Sequence, residues 1–77
     1  MILTVELKKQ PNGSPEEVAI CCDQQGLELL VAKLQRLSGK ADHTHLMTPS
    51  WAGTDLTEVK QGGAPFELVH HLRLVKI

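Results

Sequence analysis

Alternating apolar and polar side chains at the start of the chain predict two β-strands. Residues 1–9 place aliphatic side chains on one face and polar side chains on the other, which is the period-two pattern of a half-buried strand. Turn-forming proline, glycine, asparagine and serine fill residues 10–16, and a second alternating run follows at residues 17–22. We therefore expect these two strands to pair as an antiparallel hairpin.

Helical periodicity replaces the alternation after the hairpin. The carboxylate of Asp23 stands where it can accept the free amide protons of a first helical turn. Apolar side chains then recur at helical spacing, at Leu27, Leu30, Val31, Leu34 and Leu37. This pattern predicts an amphipathic helix over residues 24–38, ended by Gly39 in a left-handed conformation, with its leucine stripe packed on the sheet.

Two further strands are predicted in the second half of the chain. Residues 43–48 form a short extended run that Pro49 ends, because proline cannot continue a ladder of backbone hydrogen bonds. A linker with several glycines covers residues 50–65, and residues 66–77 alternate as one long final strand. The element order β-β-α-β-β predicts an α+β fold: a single domain over residues 1–77, with a single four-stranded, mostly antiparallel sheet and one helix packed on one face.

Within the final strand, the alternation separates two histidines. One face carries a mainly apolar set, Phe66, Leu68, His70, Leu72 and Leu74. We expect this face to be buried, so that the ring of His70 requires a hydrogen-bond partner inside the protein. The ring of His71 is expected on the outer face, beside Arg73.

Composition and charge narrow the class of protein. The chain has 77 residues, of which 42% are hydrophobic and 3% aromatic, so we expect a small, leucine-rich core that a homodimer would enlarge. A net charge of -1 gives no basic surface for nucleic acid or for an anionic membrane. No apolar run approaches the roughly 18 residues of a membrane span, and the first residues lack the pattern of a signal peptide. We therefore expect a cytoplasmic protein that binds neither nucleic acid nor membrane.

The histidines suggest one candidate metal site. If residues 43–48 are extended, the rings of His43 and His45 project from one face, roughly 6.6 Å apart along the strand. His71 from a neighbouring strand could then complete a set of imidazole ligands for zinc. Carboxylates available as a fourth ligand, or as a base for a metal-bound water, are Asp42, Asp55 and Glu58. A histidine pair without a second fixed pair is a weak zinc signal, so surface or core histidines are the first interpretation.

Binding fits the remaining residues better than catalysis does. No motif places a nucleophile such as Ser50 or Cys22 against a base, so we expect neither an enzyme nor a cofactor. Trp51 stands on the linker. Its large ring is expected either to fold back onto the edge of the core or to anchor an interface with a partner.

A longer set of residues resembles a known family. Residues 43–53 read His-Thr-His-Leu-Met-Thr-Pro-Ser-Trp-Ala-Gly, and residues 55–58 and 69–75 read Asp-Leu-Thr-Glu and Val-His-His-Leu-Arg-Leu-Val. Together with the leucine-striped helix, these segments resemble the immunity protein 32 family of bacterial polymorphic toxin systems over nearly the whole chain. In that family two glycines tend to follow the tryptophan, whereas Ala52 replaces the first of them here.

The resemblance implies a cytoplasmic, non-enzymatic antidote that binds a cognate toxin protein and blocks it. No catalytic residues and no cofactor come with it. The family-like positions expected at the toxin-binding site are His43, His45, Trp51, His70 and His71. The same residues could instead only lock the long linker onto the sheet through hydrogen bonds. An alternative from another class, a small zinc-binding protein or metal-dependent enzyme using His43, His45 and His71, also stays open.

Overall fold

Two small sheets and one helix make up the structure, a computed structural model that describes residues 1–38 and 42–77. In chain order the elements within those ranges are β1 (Leu3–Lys9), β2 (Pro15–Cys22), α1 (Gln24–Gln35), β3 (Asp42–Met47), β4 (Phe66–Val69) and β5 (His71–Lys76). One antiparallel sheet has the strand order β2-β1-β4, and the other pairs β3 with β5. The α+β class is therefore confirmed, whereas the prediction of a single four-stranded sheet is wrong.

The hairpin of β1 and β2 forms as predicted. Leu3 lies opposite Cys22, and the antiparallel pairing continues to Lys8 opposite Glu17 before the register shifts at Lys9. The turn residues lie directly between two runs of matching alternation. The pairing of these strands could therefore be predicted from local signals alone.

The predicted final strand is divided into β4 and β5 at His70. β4 pairs with β1, whereas β5 pairs with β3 in the other sheet. Val69 packs against the same core as Leu72 and Leu74. Residues 69 and 72 do not share a face of one regular strand, because successive side chains point to opposite faces. The expected single face from Phe66 to Leu74 is therefore wrong, since the chain turns a corner at His70 as it passes from one sheet to the other.

The helix begins where it was predicted and ends earlier. Asp23 caps it with a side-chain oxygen that accepts a hydrogen bond from the Gly26 amide at 2.8 Å. A Cβ atom at Gly26 would lie 1.8 Å from the carbonyl oxygen of Ile2, so glycine allows the helix to approach the start of β1. The expected cap at Gly39 lies outside the described residues. No helix in the described part of the chain is long and apolar enough to cross a membrane.

Only part of the leucine stripe packs on the core. The fully buried apolar residues are Leu3, Val5, Leu46 and Leu56, which come from β1, β3 and the linker. Leu29 and Leu30 of α1 pack against them. Three other apolar residues of the helix are 41–47% exposed, namely Leu27, Val31 and Leu34. The core is therefore as small and leucine-rich as expected, but one side of the predicted stripe faces solvent.

The linker of residues 50–65 connects the two sheets. The Leu56 amide donates to the carbonyl of Met47 at 3.2 Å, at the end of β3. Thr57 donates its amide to the Leu3 carbonyl at 2.7 Å and accepts from the Leu3 amide through its hydroxyl oxygen at 2.9 Å. These hydrogen bonds hold the linker against β1 and β3, so its ordered conformation is part of the fold.

The linker also buries the second face of β1. Thr4 and Glu6 are 0% exposed, although the alternation predicted their face in solvent. The amides of Gln61 and Gly62 donate to the Glu6 carboxylate at 2.9 and 2.7 Å, and the Thr4 hydroxyl donates to it as well. Burial raises the pKa of Glu6, but these hydrogen bonds to the charged form outweigh it, and the pKa lies below its ordinary value.

Candidate functional site

The pairing of β3 with β5 brings the histidine-bearing strands together. On β3, the alternation turns Leu46 into the core and leaves His43 and His45 exposed. The register sets His45 opposite Arg73 and Met47 opposite His71. We call the outer side of this two-stranded sheet the histidine face, which consists of His43, His45, Met47, His71, Arg73 and Val75.

Two imidazoles of the histidine face share a hydrogen bond. Nδ1 of His45 lies 2.7 Å from Nε2 of His71, and whichever nitrogen carries the proton donates to the other. The ring of His43 meets the ring of His45 edge-on, with 5.2 Å between centroids. The bond requires one unprotonated nitrogen, so the two facing nitrogens hold one proton between them.

The surroundings of His45 favour its neutral form. Partial removal from water lowers its pKa below the ordinary value, and positive charge on His71, His43 and Arg73 lowers it further. Neutral imidazole remains both a donor and an acceptor. His45 therefore offers a neutral hydrogen-bonding ring beside the one permanent cation of this face, Arg73.

Trp51 lies beside the histidine face, on a short 3₁₀ turn formed by Pro49–Trp51. Its ring is parallel to that of His70 within 7°, with 6.3 Å between centroids, and 6.1 Å from the ring of His71. The residue is 56% exposed, so it does not plug the edge of the core. The ring of Trp51 is therefore accessible to a partner and is not folded back onto the edge of the core.

His70 holds the corner under Trp51. Its Nδ1 lies 2.7 Å from the hydroxyl oxygen of Thr48, which is fully buried. The Thr48 amide donates to the His70 carbonyl at 3.0 Å, which extends the ladder between β3 and β5 to this point. The expectation that His70 needs a hydrogen-bond partner inside the protein is confirmed.

A tight turn after Trp51 fixes the direction of the chain. The Thr48 carbonyl accepts from the amides of Trp51 and Gly53, both at 2.9 Å. Ala52 adopts φ 63°, in the left-handed region that glycine enters without a steric penalty. This backbone conformation supplies a physical reason for a glycine at the position that Ala52 occupies.

The described residues do not assemble the alternative zinc site. No group of three or more histidine, cysteine, aspartate or glutamate side chains among them is arranged to hold a metal ion. The expected carboxylates have other partners: Asp55 pairs with the Lys33 ammonium at 3.3 Å, and Glu58 accepts from the Ser50 amide at 2.6 Å. Proximity of His43, His45 and His71 therefore does not by itself provide a metal centre.

Pattern reasoning left some members of this region out of the predicted site. Met47, Arg73 and Val75 share the histidine face, and Thr48 positions His70. The alternation places the first three on the outer side of their strands, but only the register shows that they surround the imidazoles. The Thr48 contact spans 22 residues and has no local signal in the sequence.

A comparison with protein families matches this region. The model of the family described as immunity protein 32 matches residues 17–72, which is more than half of the chain. The matched segment contains His43, His45, Trp51, His70 and His71. No curated protein and no solved structure matches the chain. On the extent of the family match, the chain belongs to the immunity protein 32 family.

Proposed function

We propose that this chain is a cytoplasmic immunity protein that binds a cognate bacterial toxin and neutralises it by protein–protein interaction. Its family membership carries this proposal, because the match spans the helix and the candidate site as far as residue 72, so that only Arg73 and Val75 of the histidine face lie beyond it. The proposed role is inhibition by binding, without catalysis and without a cofactor. The first partner to test under this proposal is a toxin domain encoded by a gene adjacent to this one.

The histidine face and Trp51 are the proposed contact surface. Tryptophan and arginine are enriched among the residues that dominate binding energy, and both Trp51 and Arg73 are exposed here. Exposed imidazoles at His43, His45 and His71 add groups that can both donate and accept hydrogen bonds. The strands hold these groups at fixed spacing, so little order has to be gained on binding.

His70 has a different proposed role from the other four positions. Its ring is half-buried and bonded to Thr48, and its carbonyl belongs to the β3–β5 ladder. It therefore positions Trp51 instead of contacting the toxin with its full ring. The interpretation that these residues lock the linker thus applies to His70, while Trp51, His43, His45 and His71 are proposed to meet the partner.

Calorimetric titration with the toxin domain encoded next to this gene tests the proposal. The wild-type chain is expected to bind it, and Trp51→Ala is expected to weaken binding by about tenfold or more, because it removes a central aromatic anchor. Gln25→Ala, on the exposed side of α1, is the matched surface control and is expected to bind like the wild type. Circular dichroism would verify that both variants are folded.

Two results would contradict the proposal in different ways. Absence of binding by the wild-type chain, together with failure of co-expression to protect cells from the toxin, would reject the immunity function. Equal affinity for the wild type, Trp51→Ala and Gln25→Ala would keep the function and place the contact surface elsewhere.

A further inference from the structure

The charge of the histidine face differs from that of the whole chain. The chain carries a net charge of -1, with nine acidic and eight basic residues. The histidine face contains Arg73 and three imidazoles and has no carboxylate of its own. The described residues include no carboxylate that forms an ion pair with Arg73. This face therefore offers positive charge that no carboxylate among the described residues neutralises.

The two carboxylates at the margins of this region are bound by local donors. Asp42 accepts from the amides of Ser38 and His43 at 3.0 and 2.8 Å, and these hydrogen bonds hold its pKa below the ordinary value. Glu58 accepts from the side chain and the amide of Ser50, and these bonds lower its pKa in the same way. Both groups stabilise their own turns, and neither supplies the missing counterion to Arg73.

The bonded imidazole pair can take up charge when an anion is provided. In the free protein one proton lies between His45 and His71, 2.7 Å apart. Adding one proton to the pair turns one of the two rings into an imidazolium, and the positive charge of Arg73 beside it opposes this protonation. A carboxylate placed over the pair would reverse that balance, because the imidazolium could then donate a charged hydrogen bond to it.

We propose that the toxin surface bound by the histidine face is acidic, with carboxylates that pair with Arg73 and with the His45–His71 pair, and that binding takes up a proton. This inference rests on the proposed toxin-binding function. A protein carboxylate fits better than a nucleic acid phosphate backbone, which requires several permanent cations along its path. Arg73 is the one permanent cation of the histidine face.

Titration calorimetry of the full chain with the neighbouring toxin domain tests this inference. Between about pH 8 and about pH 6 the affinity is expected to rise by about fivefold to tenfold, because the complex binds more protons than the separate proteins. Buffers with different ionisation enthalpies should report net proton uptake. His45→Gln is expected to reduce both effects, since it removes one member of the pair.

Charge reversal at one position provides the matched comparison. Arg73→Glu is expected to weaken binding by about tenfold or more, while Arg73→Lys keeps most of the affinity. Arg36→Glu makes the same change of charge on an exposed position after the helix and is expected to have a much smaller effect. Circular dichroism of each variant would separate loss of binding from loss of folding.

The outcomes distinguish this inference from the function on which it rests. Binding that is independent of pH or weakens toward pH 6, or equal losses in Arg73→Glu and Arg36→Glu, would overturn the acidic-surface inference while leaving toxin binding intact. Absence of binding by the wild type, together with failure of co-expression to protect cells from the toxin, would overturn both. Tight binding of a short single-stranded RNA that Arg73→Glu abolishes would replace the acidic protein with a nucleic acid, and so reject the inference.

Discussion

The Glu6 carboxylate and the His45–His71 pair are two polar clusters with opposite surroundings. Glu6 is fully buried and accepts hydrogen bonds from two backbone amides and a hydroxyl. His45 and His71 are exposed and share a single hydrogen bond. Every buried side-chain polar atom in the described ranges has a partner. The difference teaches that hydrogen bonds completed inside the chain determine the fold, whereas groups left incomplete at the surface are available to a partner.

The largest expected effect comes from disrupting the buried cluster. Glu6→Gln keeps the size of the side chain but places an amide NH₂ against a backbone N–H, at Gln61 or Gly62. We expect the free energy of unfolding to fall by about 3 kcal/mol, because a charged hydrogen bond is lost and a buried donor is left without a partner. Urea denaturation followed by circular dichroism measures this change. Toxin affinity, measured on the folded fraction, should remain that of the wild type.

An exposed glutamate supplies the control for this prediction. Glu67→Gln, on β4, changes a surface carboxylate that pairs with Lys9 at 3.3 Å, and we expect a change below about 1 kcal/mol. The lowered pKa of Glu6 means that its contribution is present above its ordinary pKa and is lost as the pH falls through the lowered folded value. Acid should therefore destabilise the wild type more than Glu6→Gln. Equal unfolding free energies of the two glutamine variants would contradict the assigned role of Glu6.

A smaller effect on stability is expected at Ala52, in the turn that follows Trp51. Ala52→Gly relieves the left-handed backbone at φ 63° and should raise the free energy of unfolding by about 0.5–1 kcal/mol. Thermal unfolding measures the gain. Ala64→Gly is the control, because Ala64 is exposed and has no positive φ, and glycine there should be neutral or slightly destabilising. A loss of stability in both variants would show that the turn at Ala52 carries no strain.

The smallest effect on stability is expected in the histidine pair itself. His71→Gln removes the ring whose charge lowers the pKa of His45, so that pKa should rise, with little change in the unfolding transition. His43→Gln should raise it less, because His43 has the weaker influence of the two. A pH titration of the imidazole resonances by NMR measures both shifts. An unchanged pKa of His45 in His71→Gln would contradict the observed pairing.

His45 also makes the free energy of unfolding depend on pH. Its pKa is lowered in the folded chain, so the unfolded chain binds the proton more readily. Its stabilising contribution is therefore complete above the ordinary value, about pH 6.5, and declines as the pH falls toward the lowered folded value. Removal of His71 should weaken this dependence.

Local signals predicted the parts of the fold that depend on neighbouring residues. The hairpin and the cap at Asp23 follow from alternation, turn residues and one carboxylate, all within a few positions of one another. The corner at His70 had no such signal, because the alternation of residues 66–74 reads as one continuous strand. Its position is decided by β1 and β3, which pair with the two halves.

The two polar clusters also differ in how far local sequence predicted them. The exposed histidines were predicted on the surface, because two-residue spacing on a strand turns His43 and His45 to one side. The burial of Glu6 was not predicted, since a glutamate that shares one face of an alternating strand with a threonine and a lysine reads as a solvent-facing residue. Its partners Gln61 and Gly62 lie 55 and 56 positions away, so only the folded linker reveals them.

The corner at His70 links the exposed ring of Trp51 to a backbone amide whose hydrogen exchange can be measured. One residue presents a ring that faces Trp51 and a carbonyl that receives the Thr48 amide. Thr48 itself is sealed from solvent. Exchange of that amide proton for deuterium requires the hydrogen bond between Thr48 and His70 to break. A ligand that immobilises the ring of Trp51 would therefore slow exchange of the Thr48 amide proton without contacting it.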